Sequence, residues 1–226
     1  MTMRYWYHHL ISPIIFIALA LTAIDFFNID LKLATFIYHL QGDQWALKSH
    51  WLLENILHTG ARQTLTILTI ALLALWLASF KYSPPYIQSS ALGYLLLSAI
   101  LSVLVIALLK KITQVDCPWN IQNFGGDLSY YSAYQSRPSS YPSVSCFPAG
   151  HASSGYAWLG IFYLLKRYAP SYRYYGLAFV LIVGLILGFT QQLRGAHFLS
   201  HDLWTLGICW SIASIFSPLM TRQKKA

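Results

Sequence analysis

At 226 residues, 56% of them hydrophobic and only 10% charged, the chain is too apolar and too poor in charge for an ordinary soluble domain of its length. The net charge of +8 does not point to nucleic acid, because the basic residues are short caps beside apolar runs rather than one extended basic face.

Leu10–Phe27 opens the series of apolar runs, followed by Gln63–Phe80, Ala91–Leu109, Tyr174–Thr190 and Leu203–Met220. Each approaches the roughly 20 residues, or about 17 if upright, that cross a bilayer. A sixth run, Ala152–Leu165, is shorter and gains length if His151 and Lys166 mark its two interfaces. Backbone polar groups in lipid must pair within the segment, so these runs are predicted helices. No alternating strands of about 10 residues, as in an outer-membrane barrel, are present. The expectation is one all-α, polytopic membrane domain over residues 1–226, with six transmembrane helices and a long outer loop between spans three and four. Ala18-Leu19-Ala20 resembles a signal-peptide cleavage site, but the apolar run continues through Phe26 and Phe27. The first run is therefore read as a retained span.

Between the runs, Asn28–Arg62 is predicted to lie outside, with two amphipathic pieces, Leu31–Leu40 and Trp51–His58, in the interface. Lys110–Phe147 is rich in Ser, Tyr, Pro and Gly and lacks helical periodicity. A loop of that length serves as a lid or a binding surface. Threading six spans puts Arg4, Lys81, Lys166, Arg167, Arg173, Arg222, Lys224 and Lys225 on one side. Every acidic residue falls on the other: Asp25, Asp30, Asp43, Glu54, Asp116, Asp127 and Asp202. The positive-inside rule makes the basic side cytoplasmic, with both termini there.

Lys110, His151 and His197, from three distant parts of the sequence, then share the outer face. A phosphoryl group in transfer spreads negative charge over its oxygens and needs cations and backbone N–H donors around it. Lys110 supplies the cation. Gly150 and His151, at the predicted start of a helix, offer free N–H groups and the positive end of a helix dipole.

These residues resemble the type 2 phosphatidic acid phosphatases, also called lipid phosphate phosphatases. That family's signature runs K-x6-R-P, then P-S-G-H, then S-R-x5-H-x3-D. Here Lys110 is followed after six residues by Cys117-Pro118, Pro148-Ala149-Gly150-His151 answers the second motif, and Gly195-Ala196-His197 the third. The resemblance implies a phosphatase that uses no metal or other cofactor and forms a covalent phosphohistidine. His197 would be the nucleophile, His151 the acid for the leaving oxygen, and Lys110 a phosphate ligand. The implied partners are a bilayer and a membrane lipid phosphate or pyrophosphate, met at the outer face of a bacterial inner membrane.

Departures from the pattern are specific. Cys117 stands for the first arginine and Ala149 for the serine of the second motif. Gln191 stands where the third motif has arginine, and Arg194 follows three residues later, about one helical turn on. Arg194 is expected to compensate as phosphate ligand, with Arg62 or Arg137 adding to it. His201 occupies the aspartate position with Asp202 next to it, so either orients His197, and a carboxylate suits that role better. A zinc site built from these histidines and Asp202 lacks a second ligand cluster to support His197-x3-His201. A phosphotransferase using the same phosphohistidine, and a transporter without chemistry, are the rival readings.

Of the cysteines, Cys117 and Cys146 bracket the outer loop and Cys209 lies in the last span. An oxidising exterior lets the first two pair. Closing a loop of that size stabilises a fold by roughly 3–4 kcal/mol in the chain-entropy account.

Overall fold

The computed structural model describes residues 2–82, 88–132, 135 and 137–220, apart from the side chain of His58. Arg222, Lys224 and Lys225, used above for orientation, lie outside the described residues. Helix follows helix through the described chain. α1 is Met3–Phe26 and α2 is Ile29–Leu40. α3 is Leu52–Tyr82 and α4 is Ser89–Thr113. α5 covers 150–168, α6 is Arg173–Leu193 and α7 is Leu199–Phe216. Among the described residues there is no named strand, only an isolated bridge between Ile121 and Leu128.

Five of these helices, α1, α3, α4, α6 and α7, are long and apolar enough to cross a membrane. The sixth predicted span, Ala152–Leu165, is helical inside α5 but is not one of the five. Its position explains its composition. Ala152, Tyr156 and Leu159 are almost wholly buried, among Tyr94 and Leu95 of α4, Val180 of α6 and Cys209 and Ala213 of α7. A helix enclosed by other helices needs no continuous lipid-facing surface, so it tolerates the serines and glycines that dilute its hydrophobicity. α1 and α3 are the reverse: their exposed Ile, Leu and Phe side chains match lipid contact.

Two amphipathic pieces fare differently. Leu31–Leu40 is helical within α2, and Asn28, in the left-handed region at φ 53°, separates it from α1. Trp51–His58 is no separate interfacial piece: 52–58 forms the first turns of α3, because the chain carries hydrogen-bonded turns through Gly60 into the span.

The N-terminus, the end of α5 and the end of α7 meet at one end of the bundle. Tyr163 Oη and Ser214 Oγ lie 2.7 Å apart, Trp210 Nε1 donates to the His9 carbonyl at 2.8 Å, and Tyr5 Oη donates to the Ser214 carbonyl at 3.1 Å. Lys166 and His9 are partners beside this network. The C-terminal end of α4, the start of α5 and the α6–α7 turn come together elsewhere.

The outer loop between α4 and α5 has no α-helix among its described residues, only two single 3₁₀ turns, Pro118–Asn120 and Gln122–Phe124. Polar bonds order it instead. Arg137 grips Asp116 through Nε at 2.7 Å and Nη2 at 2.9 Å, and Gln114 Oε1 accepts from Ser143 Oγ and the Val144 N–H.

Candidate active site

Lys110 sits in the last turn of α4, and its Nζ donates to the Ser145 carbonyl at 2.9 Å. Its stem runs over Gly150, the first residue of α5. A Cβ there would come within 3.0 Å of Lys110 Cε and 3.4 Å of Nζ. The ammonium is thus held beside the first turn of a helix, whose N–H groups lack intrahelical partners. Ala149 is fixed just before that turn. Its N–H donates to the His201 carbonyl, and its own carbonyl accepts from Thr205 Oγ1 at 3.1 Å.

The α6–α7 turn delivers His197. Gly195, at φ +73°, caps α6 in the left-handed conformation: its N–H donates to the Gln192 carbonyl, and the Ala196 N–H to that of Gln191. The Trp45 ring packs where a Cβ on Gly195 would be, and the Trp119 N–H donates to the Gly195 carbonyl at 3.0 Å. His197 follows, 5% exposed.

Around His197 the structure gathers Lys110, His151 and His201. Burial and, after it, these three neighbours hold the His197 pKa well below the ordinary histidine value, so the imidazole is neutral and keeps its lone pair. The His197 and His201 ring centroids are 5.7 Å apart, and both rings face the Cys146 backbone. Phe147 and Phe198 meet His201 edge-on at 5.2 and 5.4 Å. Among the described residues, Nδ1 of each of these two histidines has no hydrogen-bond partner.

Asp202 turns elsewhere. Its Oδ2 accepts from Gln192 Nε2 at 2.5 Å and its carboxylate packs on Gly188, both on α6. His201, not Asp202, therefore lies against His197. Arg194 is also committed. Its Nε donates to the Lys48 carbonyl at 2.7 Å, Nη1 reaches Gln191 Oε1 at 3.3 Å, and Nη2 is 3.7 Å from Glu54 Oε1. The guanidinium ties the end of α6 to Lys48 before α3 and to Glu54 in its first turn. Gln191, 2% exposed, keeps its Nε2 without a partner among the described residues. Arg137 is taken up by Asp116 and by the Pro142 carbonyl. Cys117 and Cys146 stand at disulfide distance, with Cα atoms 5.3 Å apart, and the Cys146 N–H donates to the Val115 carbonyl.

Three contributors were not visible in the sequence: the Ser145 carbonyl, the Trp45 ring behind Gly195, and Asp30. The last caps α7 from α2, accepting from the Ser200 N–H at 2.9 Å and from its hydroxyl. Only Gly195 carried a local signal, as a glycine closing an apolar helical run.

A cation, a helix start and two buried imidazoles thus meet at one end of a bundle with five helices long and apolar enough to cross a membrane, the architecture of a helical membrane protein. The chain belongs to the PAP2 superfamily, whose model matches residues 91–225, including all three motif regions. Its fold is similar to a crystal structure described as the first transmembrane PAP2 type phosphatidylglycerolphosphate phosphatase from Bacillus subtilis. That likeness covers 95% of this chain and 98% of the other, at a TM-score of 0.57 and 17% identity. No curated protein sequence matches the chain significantly.

Proposed function

We propose that the chain is a phosphatase of membrane lipid phosphates or pyrophosphates, working without metal through a phosphohistidine at His197. The observation that carries this reading is convergence: Lys110 of α4 and His151 of α5 lie beside the buried, neutral imidazole of His197 from the α6–α7 turn, and Gly150 lies against Lys110. Membership of the PAP2 superfamily supports it, as does the phosphatase activity described for the Bacillus subtilis protein of similar fold.

In this mechanism Lys110 and the N–H groups at the start of α5 hold the equatorial oxygens of the phosphate. The lone pair of His197 attacks phosphorus, the bond from phosphorus to the lipid oxygen breaks, and His151 gives that oxygen its proton. Water, deprotonated by His151, then attacks the phosphohistidine, releasing phosphate and restoring His197. His201, against the His197 ring, positions it. Gln191 offers its free Nε2 to a phosphate oxygen and is itself held by Arg194, so Arg194 acts through Gln191. Asp202 braces α7 on α6 through Gln192.

α5 completes six spans in this reading, and the site opens at the outer face of a bacterial inner membrane with both termini cytoplasmic. Phosphate release by the purified protein across phospho- and pyrophospholipids, with chelator present, tests the activity. Release that stops in chelator and returns with zinc overturns the mechanism.

A further inference from the structure

Next to His201 lies a cavity of about 480 Å³, between the end of α1, the start of α2, residues 130–132 of the outer loop and the first turn of α7. Lys110, His151 and His197 are not among the described residues lining it, and neither is any lysine or arginine. Its polar chemistry is of the opposite sign to the phosphate site. Asp25 and Asp30 both line it, with the rings of Tyr130, Tyr131 and Trp204.

The two carboxylates are not equivalent. Asp30 is occupied by the Ser200 N–H and hydroxyl, and its charge is offset by the start of α7. Asp25 is exposed at the C-terminal end of α1, where the helix dipole adds negative potential of its own. Tyr130 stands near both: burial, and after it Asp30 and Asp25, raise its pKa, so the phenol stays protonated. The second observation is His201. It is 2% exposed and lines this cavity, and its Nδ1 has no partner among the described residues. A buried polar atom without a partner is unfavourable unless a ligand supplies one.

We propose that this cavity is a subsite for the ammonium group of a lipid headgroup, adjoining the phosphate site across His201. Asp25 provides the counter-charge and the aromatic faces the cation–π contact. An anion is repelled by Asp25, and a neutral hydroxyl gains nothing from it. The inference rests on the phosphatase reading for the site it adjoins, and it names the class of substrate: lipid phosphates whose polar part also carries an amine.

Binding tests it without turnover. Calorimetry of the full chain in detergent compares 2-amino-1-octanol with 1,2-octanediol at pH 7. The amine is expected to bind about tenfold more tightly, a margin in keeping with one partly screened ion pair and one cation–π contact. Asp25→Asn and Tyr130→Leu are each expected to bring the ratio toward one, with thermal melting reporting that the variants fold. Should either fail to fold, Tyr131→Leu reads the same preference. Equal affinities in the wild type, or a preference untouched by these substitutions, overturn the proposal. So does calcium binding that depends on Asp25 while the amine is not preferred. Phosphate release is scored separately. Amine preference without any release sinks the phosphatase reading alone, and release without amine preference sinks the subsite alone.

Discussion

Lys110 crosses the start of α5 because position 150 has no side chain. Gly150→Ala would push the Lys110 stem aside by a few tenths of an ångström or more. Misplacing a phosphate ligand on that scale is expected to lower kcat/KM by roughly 10–100-fold, with thermal stability changed far less, as paired kinetics and melting would report. The depressed pKa of His197 gives a second prediction. The unfolded chain binds a proton near pH 6.5 and the folded chain only at lower pH, so protonation favours unfolding and stability falls as pH drops below about 6.5. His197→Asn is expected to flatten that slope in melts between pH 7.5 and 5. At this scale the sequence put Lys110, His151 and His197 on one face, and the structure brings Lys110 and His151 beside His197. It did not carry the partners of Arg194 or Asp202, which depend on how α6 meets α7 and the segment before α3.

At the scale of elements, the outer loop is held at its base. Cys117 and Cys146 lie at its two ends, one close behind Lys110 and the other just before α5. If they form a disulfide, native protein resists thiol labelling at both positions, and reduction lowers stability by roughly 3–4 kcal/mol. Cys117→Ser, Cys146→Ser and the double variant are then expected to melt together. Free thiols at both positions in unreduced protein contradict the bridge. Asp30 does comparable work for α7, since Phe198 at the helix start offers no side-chain cap. Asp30→Ala is expected to cost about 1–2 kcal/mol, read by chemical or thermal unfolding. Hydropathy located α4, α6 and α7 to within about four residues, but began the first and second runs at Leu10 and Gln63, well inside helices that start at Met3 and Leu52. It placed Trp51–His58 in the interface because the piece is amphipathic, and missed that the helix runs on through Gly60. α5 was legible as a helix, but its enclosure by α4, α6 and α7 follows from packing that no local pattern encodes.

Across the whole molecule, the bundle separates two kinds of end. One carries the Tyr5, Tyr163, Trp210 and Ser214 network beside Lys166; Lys110, His151, His197 and His201 cluster elsewhere, where α4 ends and α5 begins. In the proposed mechanism His197 carries phosphate during turnover of a lipid phosphate. The most direct measurement is trapping: the purified protein, in chelator, is quenched during turnover of a ³²P-labelled lipid phosphate and assayed for protein-bound label. Label that is lost in acid, survives in base and maps to His197 is expected, with none in His197→Ala. Turnover by the wild type that persists in His197→Ala, or label on any other residue, would contradict it.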